Sequence, residues 1–213
     1  MTAQAGSISS NLRAERRSLR QRIRAARRAM PPDERAAADR AIAAQVRRLD
    51  VFRRARRIAV FLAFDGEPAL DDLIEDAARA GKRIYAPVIT RTRMRFAELE
   101  VDAGLGTNFF GILEPDPTKT IDARRLDLVL TPLVAFDDQG IRIGVGRGYY
   151  DRCFRFLRTR GAWLHPKLLG VAYELQHVHP IAPEPWDVPL WGAVTEARVR
   201  RFKRGLSPCS TGS

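Results

Sequence analysis

The chain has 213 residues, of which 45% are hydrophobic, so its size and composition are those of a globular protein and exclude a disordered or fibrous one. Its 37 basic and 25 acidic residues give a net charge of +12, which favours anionic partners such as phosphorylated ligands, polycarboxylates or nucleic acid. No apolar run reaches the ~20 residues of a membrane span, and two distant cysteines suggest neither a disulfide framework nor a metal cluster. We therefore expect a cytoplasmic protein.

The amino-terminal segment predicts an arginine-rich helix over 11–30, after a disordered stretch, 1–10. Apolar residues recur at helical spacing, namely Leu12, Leu19, Ile23, Ala26 and Met30. Arg16, Arg20 and Arg27 fall beside this stripe, where their side chains can reach a neighbouring cleft. Arg24 and Arg28 are expected in solvent.

The next segments predict a helix and then a strand–helix–strand unit. Pro31 and Pro32 end the first helix and open a second, which runs to about residue 49. Residues 56–64 form a short buried strand, a helix follows with its C-cap at Gly81, and residues 83–89 form the next strand. Such a unit is typical of a parallel sheet. Residues 94–100 fit either a further strand or a hairpin arm.

The second half predicts a central strand at 126–137 after a loop-rich stretch, 103–125. A helix at 149–160 and strands at 167–173 and 192–196 follow, and 205–213 is expected to be a disordered tail. We expect one α/β domain over 11–204. Its predicted architecture is an open, mostly parallel, Rossmann-like sheet with helices on both faces and the basic amino-terminal helix packed on it.

The stretch 142–152, "RIGVGRGYYDR", places Gly144, Gly146 and Gly148 between a predicted strand and a predicted helix. In open α/β sheets ligands bind beyond the carboxyl ends of strands, and unshielded amides at a helix N-terminus suit phosphate oxygens. The spacing is neither a dinucleotide fingerprint nor a Walker loop. By itself it also fits a tight turn, and core packing also explains Tyr149 and Tyr150.

Asp151 falls in the first turn of the predicted helix, where the helix dipole favours a carboxylate. It could also bind Mg²⁺, which usually takes one or two carboxylates together with substrate phosphates. Asp187, in the proline-rich stretch before the last predicted strand, is the candidate for a second carboxylate.

Together these residues resemble the 5-formyltetrahydrofolate cyclo-ligase family, from about residue 13 to 202. The resemblance rests on "TPLVAFDDQGIRIGVGRGYYDR", on "GILEP" before that strand and on "FDGEP" after the first strand. It implies ATP binding by Arg16, Arg20, Arg142, Ile143, Gly144, Val145, Gly146, Arg147, Gly148, Tyr149 and Tyr150. It implies substrate binding by Leu62, Glu67, Val145, Gly146, Arg147, Gly148 and Tyr149.

The resemblance also makes Asp151 and Asp187 the magnesium ligands, and we assign catalysis to Arg147 and Tyr149. Many members carry lysine where this chain has Arg16, a change that keeps charge and reach but not shape. Leu62 equally fits a plain core position.

The reaction that the resemblance implies is the cyclisation of 5-formyltetrahydrofolate to 5,10-methenyltetrahydrofolate. It depends on ATP and Mg²⁺, gives ADP and phosphate, and passes through a phosphorylated formyl intermediate. Such chemistry needs positioning and charge neutralisation, so we expect His165, His177 and His179 to be structural or solvated. The basic surface favours polyglutamylated folate as well. We expect a monomer that binds neither membrane nor nucleic acid.

Two alternatives stay open at this point. One is a paralogous ATP-dependent ligase acting on another heterocycle. The other is a basic nucleic-acid-binding protein with a degenerate nucleotide fold, which would bind RNA or DNA with a steep salt dependence.

Overall fold

The computed structural model describes residues 2–100, 104–108, 111–159 and 165–202, with the backbone alone for 2–11 and 159. The helices in this part of the chain are α1 (Thr2–Arg28), α2 (Pro32–Arg48), α3 (Asp50–Arg54), α4 (Asp71–Arg79), α5 (Tyr149–Phe154) and α6 (Phe156–Thr159). Short 3-10 helices span Ala123–Arg125 and Glu174–Gln176. None of the helices described combines the length and the apolar character that crossing a membrane requires.

The strands form one large sheet and two small ones. They are β1 (Arg57–Ala59), β2 (Arg83–Ile89), β3 (Met94–Glu98), β4 (Gly106–Thr107), β5 (Leu113–Glu114), β6 (Thr120–Ile121), β7 (Leu128–Thr131), β8 (Ala135–Phe136), β9 (Arg142–Ile143), β10 (Lys167–Val171), β11 (Gly192–Val194) and β12 (Val199–Arg201). The large sheet has the order β12-β11-β10-β7-β1-β2-β3-β6, while β4 pairs with β5 and β8 with β9.

The centre of the large sheet is parallel from β11 through β10, β7 and β1 to β2, and its outer strands pair antiparallel. The predicted open, mostly parallel α/β sheet is therefore confirmed. Chain order reverses between β1 and β7, which lie side by side although one follows the other by many residues. At such a switch point the two strand ends leave a crevice, and ligands bind there in doubly wound sheets.

The core covers both faces of the sheet because strand residues alternate between them. In β1, Ile58 packs with the cluster that contains Phe52 of α3 and Leu73 of α4. The next residue, Ala59, packs with the opposite cluster, which contains Phe154 of α5. This alternation explains why the buried strands consist almost entirely of apolar residues, as is usual for parallel sheets.

α1 docks on the β8–β9 hairpin near the carboxyl ends of the parallel strands. Its Ile23 is buried in a third cluster with Val134, Ala135, Ile141, Ile143 and Ile181. The helix thus lies over the edge of the sheet where the crevice opens. Its arginine flank faces that crevice, whereas Ala26, predicted to lie in the apolar stripe, is exposed.

Several elements differ from the sequence prediction. α1 begins at Thr2, within the stretch 1–10 that was expected to be disordered. The predicted strand 126–137 divides into β7 and β8, because Pro132 cannot donate to a ladder and the chain turns away to pair with β9. The predicted helix 149–160 is two short helices, and α3, β4, β5, β6, β9 and β12 were not predicted. The tail 205–213 lies outside the described residues, and the division into domains stays a prediction.

Candidate functional site

The glycine loop joins β9 to α5 beside the crevice. Gly146 has φ +99° and Gly148 has φ +63°, both in the left-handed region that residues with a side chain rarely adopt. Gly148 stands directly before α5, and residues 144–147 are exposed. A solvent-facing backbone of this kind at a helix start can present its amides to an anion.

Arg20 of α1 reaches this loop, and Arg16 reaches the neighbouring 182–187 stretch. Arg20 Nε donates to the carbonyl oxygen of Gly144 at 2.9 Å. Arg16 Nη2 donates to Asp187 Oδ2 at 2.6 Å and to the carbonyl oxygen of Ala182 at 2.8 Å. Burial lowers the pKa of Arg20, and so does the neighbouring charge of Arg16, while Asp187 opposes them. A cluster of cations therefore surrounds the loop.

The two candidate metal ligands lie on either side of one short backbone stretch. Asp151 Oδ1 accepts a hydrogen bond from Arg142 Nη2 at 2.7 Å and from the Val188 amide at 3.3 Å. Val188 directly follows Asp187, whose Oδ2 accepts from Arg16 and, at 2.9 Å, from the Glu184 amide. Arg142 also donates to the Val188 carbonyl oxygen. The pairing suggested by the sequence thus brings both carboxylates to the same edge of the loop.

This donor set fits a magnesium ion bound together with phosphate. Within the described residues, no group of three or more histidine, cysteine or acidic side chains could hold a metal. Asp151 and Asp187 each keep one oxygen to which no hydrogen bond is made in that part of the chain. Mg²⁺ is commonly held by one or two carboxylates, with phosphate oxygens and water completing six positions. A zinc site or an all-protein calcium cage would need more ligands.

Beyond β1 the chain makes a tight turn that presents Glu67 to the crevice. Asp65 and Gly66 have φ of 54° and 75°, and the Glu67 amide donates to the Phe64 carbonyl oxygen at 3.1 Å. Two left-handed central residues define a type I′ turn, for which Asp-Gly is a preferred sequence. The Phe64 amide in turn donates to Glu67 Oε2 at 3.3 Å. Leu62, just before the turn, is half-buried against the core.

Glu67 and Tyr150 connect this turn to the glycine loop. Burial raises the pKa of Glu67 to about 7, although Arg27 opposes the shift. Burial also raises the pKa of Tyr150 well above its usual range, with the nearby Glu67 as the next cause. The Tyr150 hydroxyl is buried and has no hydrogen-bond partner in the described part of the chain. The turn and the loop therefore share one site.

Tyr149 lies on the other side of the loop. Its hydroxyl oxygen is 3.5 Å from the carbonyl oxygens of Thr90 and Arg91, and the guanidinium of Arg152 stacks 5.0 Å from its ring centre. Arg152 also donates to the Arg147 carbonyl oxygen at 2.8 Å. This contact braces the loop from the α5 side.

Comparisons with known proteins agree on one family. The model of the 5-formyltetrahydrofolate cyclo-ligase family matches residues 12–196. A 5-formyltetrahydrofolate cyclo-ligase from Escherichia coli K12 is 37% identical over 184 residues, which are 83% of this chain and 98% of that protein. The chain belongs to the 5-formyltetrahydrofolate cyclo-ligase family. It is therefore an enzyme, a ligase of folate metabolism.

Solved structures agree with this assignment. The structure of a 5,10-methenyltetrahydrofolate synthetase from Aquifex aeolicus superposes with a TM-score of 0.77 at 28% identity, covering 90% of this chain and 95% of that one. A 5,10-methenyltetrahydrofolate synthetase from Mycoplasma pneumoniae gives a TM-score of 0.69 at 25% identity, covering 85% and 98%.

Two cavities flank the glycine loop of this cyclo-ligase. One, of about 430 Å³, lies between α1 and residues 175–182 and is bordered by Arg16 and Ile143. The other, of about 610 Å³, lies beyond Tyr149. Five arginines line it, namely Arg93, Arg95, Arg124, Arg152 and Arg155. Neither cavity is lined by the two carboxylates or by Glu67.

The sequence did not predict the arginine cluster on the turn. Arg24 Nε donates to Asp65 Oδ2 at 2.6 Å, and Arg28 donates to Asp65 Oδ1, whereas both arginines were expected in solvent. From α2, Arg35 Nη1 donates to the Gly66 carbonyl oxygen at 3.0 Å. The signal in the sequence that could have indicated this cluster was an Asp-Gly pair after a strand, preceded in the chain by arginines at helical spacing. His177 Nε2 lies 2.8 Å from Asp138 Oδ1, and the side chain also lines the cavity beside Arg16.

Proposed function

We propose that this enzyme catalyses the ATP- and Mg²⁺-dependent cyclisation of 5-formyltetrahydrofolate to 5,10-methenyltetrahydrofolate, with release of ADP and phosphate. The observation that carries the proposal is the convergence of three elements at one edge of the sheet. These are the α1 arginines on the glycine loop, the Asp151–Asp187 pair, and Glu67 on its turn. Membership of the cyclo-ligase family supports the choice of substrate.

The glycine loop and α1 account for ATP. The amides of 144–148 and the guanidinium groups of Arg16, Arg20 and Arg147 would bind the phosphate chain, which carries several negative charges. Asp151 and Asp187 would hold magnesium through the oxygens that Arg142 and Arg16 leave open. When bound, the metal would neutralise charge on the transferring phosphoryl group.

Glu67 and the loop account for the folate. An ionised carboxylate accepts hydrogen bonds only, and the pterin ring offers N–H donors to it. Leu62 would pack against the ring. Residues 145–149 border both ligands, so Arg147 and Tyr149 would align the formyl group with the γ-phosphate. Such alignment supplies much of the rate in reactions of this kind.

The proposed steps conserve atoms and charge. The formyl oxygen on N5 attacks the γ-phosphorus, ADP leaves, and the formyl carbon becomes electrophilic. N10 then adds to that carbon, and phosphate leaves with the former formyl oxygen and takes up the proton that N10 loses. The protein contributes positioning and positive charge, and no covalent enzyme intermediate is needed.

Polyglutamylated folate is a proposed form of the substrate. The five-arginine cavity beyond Tyr149 adjoins the loop that would border the folate, and arginine pairs well with carboxylates. Steady-state KM values for mono- and triglutamate substrates test this, and equal values would count against it. We further propose that the enzyme works as a cytoplasmic monomer.

Substrate choice separates this function from a paralogous ligase for another heterocycle, because the turn with Glu67, rather than the glycine loop, would recognise the ring. Absorbance near the methenylfolate band should rise only when 5-formyltetrahydrofolate, ATP and Mg²⁺ are all present. No rise from protein that still binds ATP would favour the paralogue. Strongly salt-dependent RNA or DNA binding without ATP turnover would favour the nucleic-acid alternative.

A further inference from the structure

Arg27 is a buried charge in a helix whose other arginines lie nearer to solvent. Its side chain is 1% exposed, whereas that of the adjacent Arg28 is 58% exposed. A guanidinium removed from water is costly unless its donors are satisfied. The partners of Arg27 therefore show what the burial achieves.

Those partners are the ends of two neighbouring strand segments. Arg27 Nε and Nη2 donate to the carbonyl oxygen of Asp65 at 3.1 and 2.8 Å, and Nη1 lies 3.4 Å from that of Leu133. Asp65 follows β1 and Leu133 follows β7, the two strands that border the switch point. Gln176 Nε2 supports the same corner by donating to the Leu133 carbonyl oxygen at 2.7 Å. Arg27 thus ties together the two sides of the crevice.

The Arg27 hydrogen bonds act on the left-handed backbone conformation of Asp65. Among the described residues, Asp65 is the only one other than glycine with a positive φ. Aspartate tolerates this conformation better than most residues, and contacts to its carbonyl and carboxylate groups help to fix it. Arg27 fixes the Asp65 carbonyl, while Arg24 and Arg28 hold its carboxylate. Glu67 is two residues further on, so the direction of its carboxylate depends on this turn.

The charges around Glu67 come from three elements. Arg27 and Arg24 face it from α1, Asp65 from its own turn, and Tyr150 from α5. Burial disfavours the ionised carboxylate, and among the opposing influences Arg27 is the strongest. Loss of the Arg27 charge would therefore move Glu67 toward its neutral form at neutral pH.

We propose that Arg27 is a positioning residue for the folate, which aims the Glu67 carboxylate at the pterin ring by clamping the Asp65 and Leu133 carbonyls without touching the ligand. Its charge also favours the ionised carboxylate that accepts the ring N–H groups. This inference rests on the proposed function, in which Glu67 binds the pterin.

Three variants test it. Arg27→Met removes both the guanidinium donors and the charge while keeping a similar side-chain length. Arg27→Lys keeps the charge but not the planar set of donors. Arg17→Met is the matched control, because it removes an exposed arginine of α1 for which no hydrogen bond to Asp65 is found among the described residues. For each, KM for 5-formyltetrahydrofolate, KM for ATP and the pH dependence of kcat/KM for the folate are measured.

Arg27→Met should raise KM for the folate roughly tenfold and leave KM for ATP within about twofold of wild type. The acidic limb of its kcat/KM profile for the folate should move about one pH unit higher. Arg27→Lys should raise the folate KM less and keep the limb in place, and Arg17→Met should behave as wild type. If Arg27→Met does not fold by circular dichroism, the KM split in Arg27→Lys decides.

An Arg27→Met enzyme with unchanged folate KM and pH limb would overturn the inference. So would an equal rise of both KM values in the Arg27 variants, because that result indicates a general structural role. Wild-type protein is assayed first: if it fails to cyclise the folate, the proposed function fails and this inference with it. If wild type is active, only the variants bear on Arg27.

Discussion

Glu67 makes the enzyme less stable at neutral pH, and replacing it should show this directly. The perturbation is Glu67→Gln, which keeps the shape of the neutral acid and removes the ionisable group. Burial raises the pKa of Glu67 to about 7 in the folded protein, against 4.5 for the ordinary group. Since the folded pKa is the higher one, stability from this group is fully present below pH 4.5 and is lost as pH rises to about 7.

The size of the effect follows from that interval. The difference of about 2.5 pKa units, at 1.36 kcal/mol each, lowers the free energy of unfolding by ~3 kcal/mol above neutral pH. Integration over the titration gives about 1 kcal/mol at pH 5 and ~3 kcal/mol at pH 8. These energies are upper values, because water reaches part of the side chain and stabilises its ionised form. In a chain of this size ~3 kcal/mol corresponds to a Tm increase of roughly 6–12 °C.

The assay is urea unfolding of wild type and Glu67→Gln at pH 5 and pH 8. The variant should be the more stable protein at pH 8, and the difference should shrink strongly at pH 5. Glu34→Gln, an exposed site on α2, should show little change at either pH. A difference that is independent of pH, or a variant destabilised at pH 8, would refute the reasoning. The variant should also bind folate poorly, because glutamine keeps one acceptor oxygen but replaces the second, charged one by an NH2 donor.

Further predictions concern packing and the ATP side of the site. Gly170→Ala should cost ~1–3 kcal/mol in urea unfolding, because an added Cβ would lie 2.8 Å from two leucine side chains. Gly104→Ala, where a Cβ meets nothing within 4 Å, should be nearly neutral in the same measurement. Arg16→Ala should raise KM for ATP roughly tenfold by steady-state kinetics, while Arg16→Lys stays within a few-fold. A larger loss in the lysine variant would show that guanidinium shape is required. Asp187→Asn should raise the half-saturating Mg²⁺ concentration about tenfold and leave KM for the folate nearly unchanged; an unaltered Mg²⁺ titration would remove Asp187 from the metal site.

The sequence predicted those features that short-range patterns control. Apolar strands alternating with amphipathic helices indicated the sheet, and the every-other-residue glycines indicated the loop. Helical spacing placed Arg16 and Arg20 beside the apolar stripe of α1, within reach of a cleft, and in the structure they bond to Asp187 and to the Gly144 carbonyl oxygen.

Features that depend on distant contacts could not be predicted in this way. The break between β7 and β8 exists because the hairpin pairs β8 with β9 and receives α1. Arg27 is buried although its place in the helical repeat equals that of the half-buried Arg16 and Arg20, because carbonyl groups from the segments after β1 and β7 meet there. The arginine cluster on Asp65 likewise needs α1 and the turn after β1 to be adjacent, which no local pattern shows.

The central claim is that one site couples ATP to folate cyclisation, and product stoichiometry tests it most directly. In a single reaction mixture, methenylfolate is followed by absorbance while ADP and phosphate are quantified. The account predicts one ADP and one phosphate for each methenylfolate formed, with all three lost together in Asp151→Ala. Methenylfolate formed without ATP, or ADP released without methenylfolate in the presence of saturating 5-formyltetrahydrofolate, would contradict it.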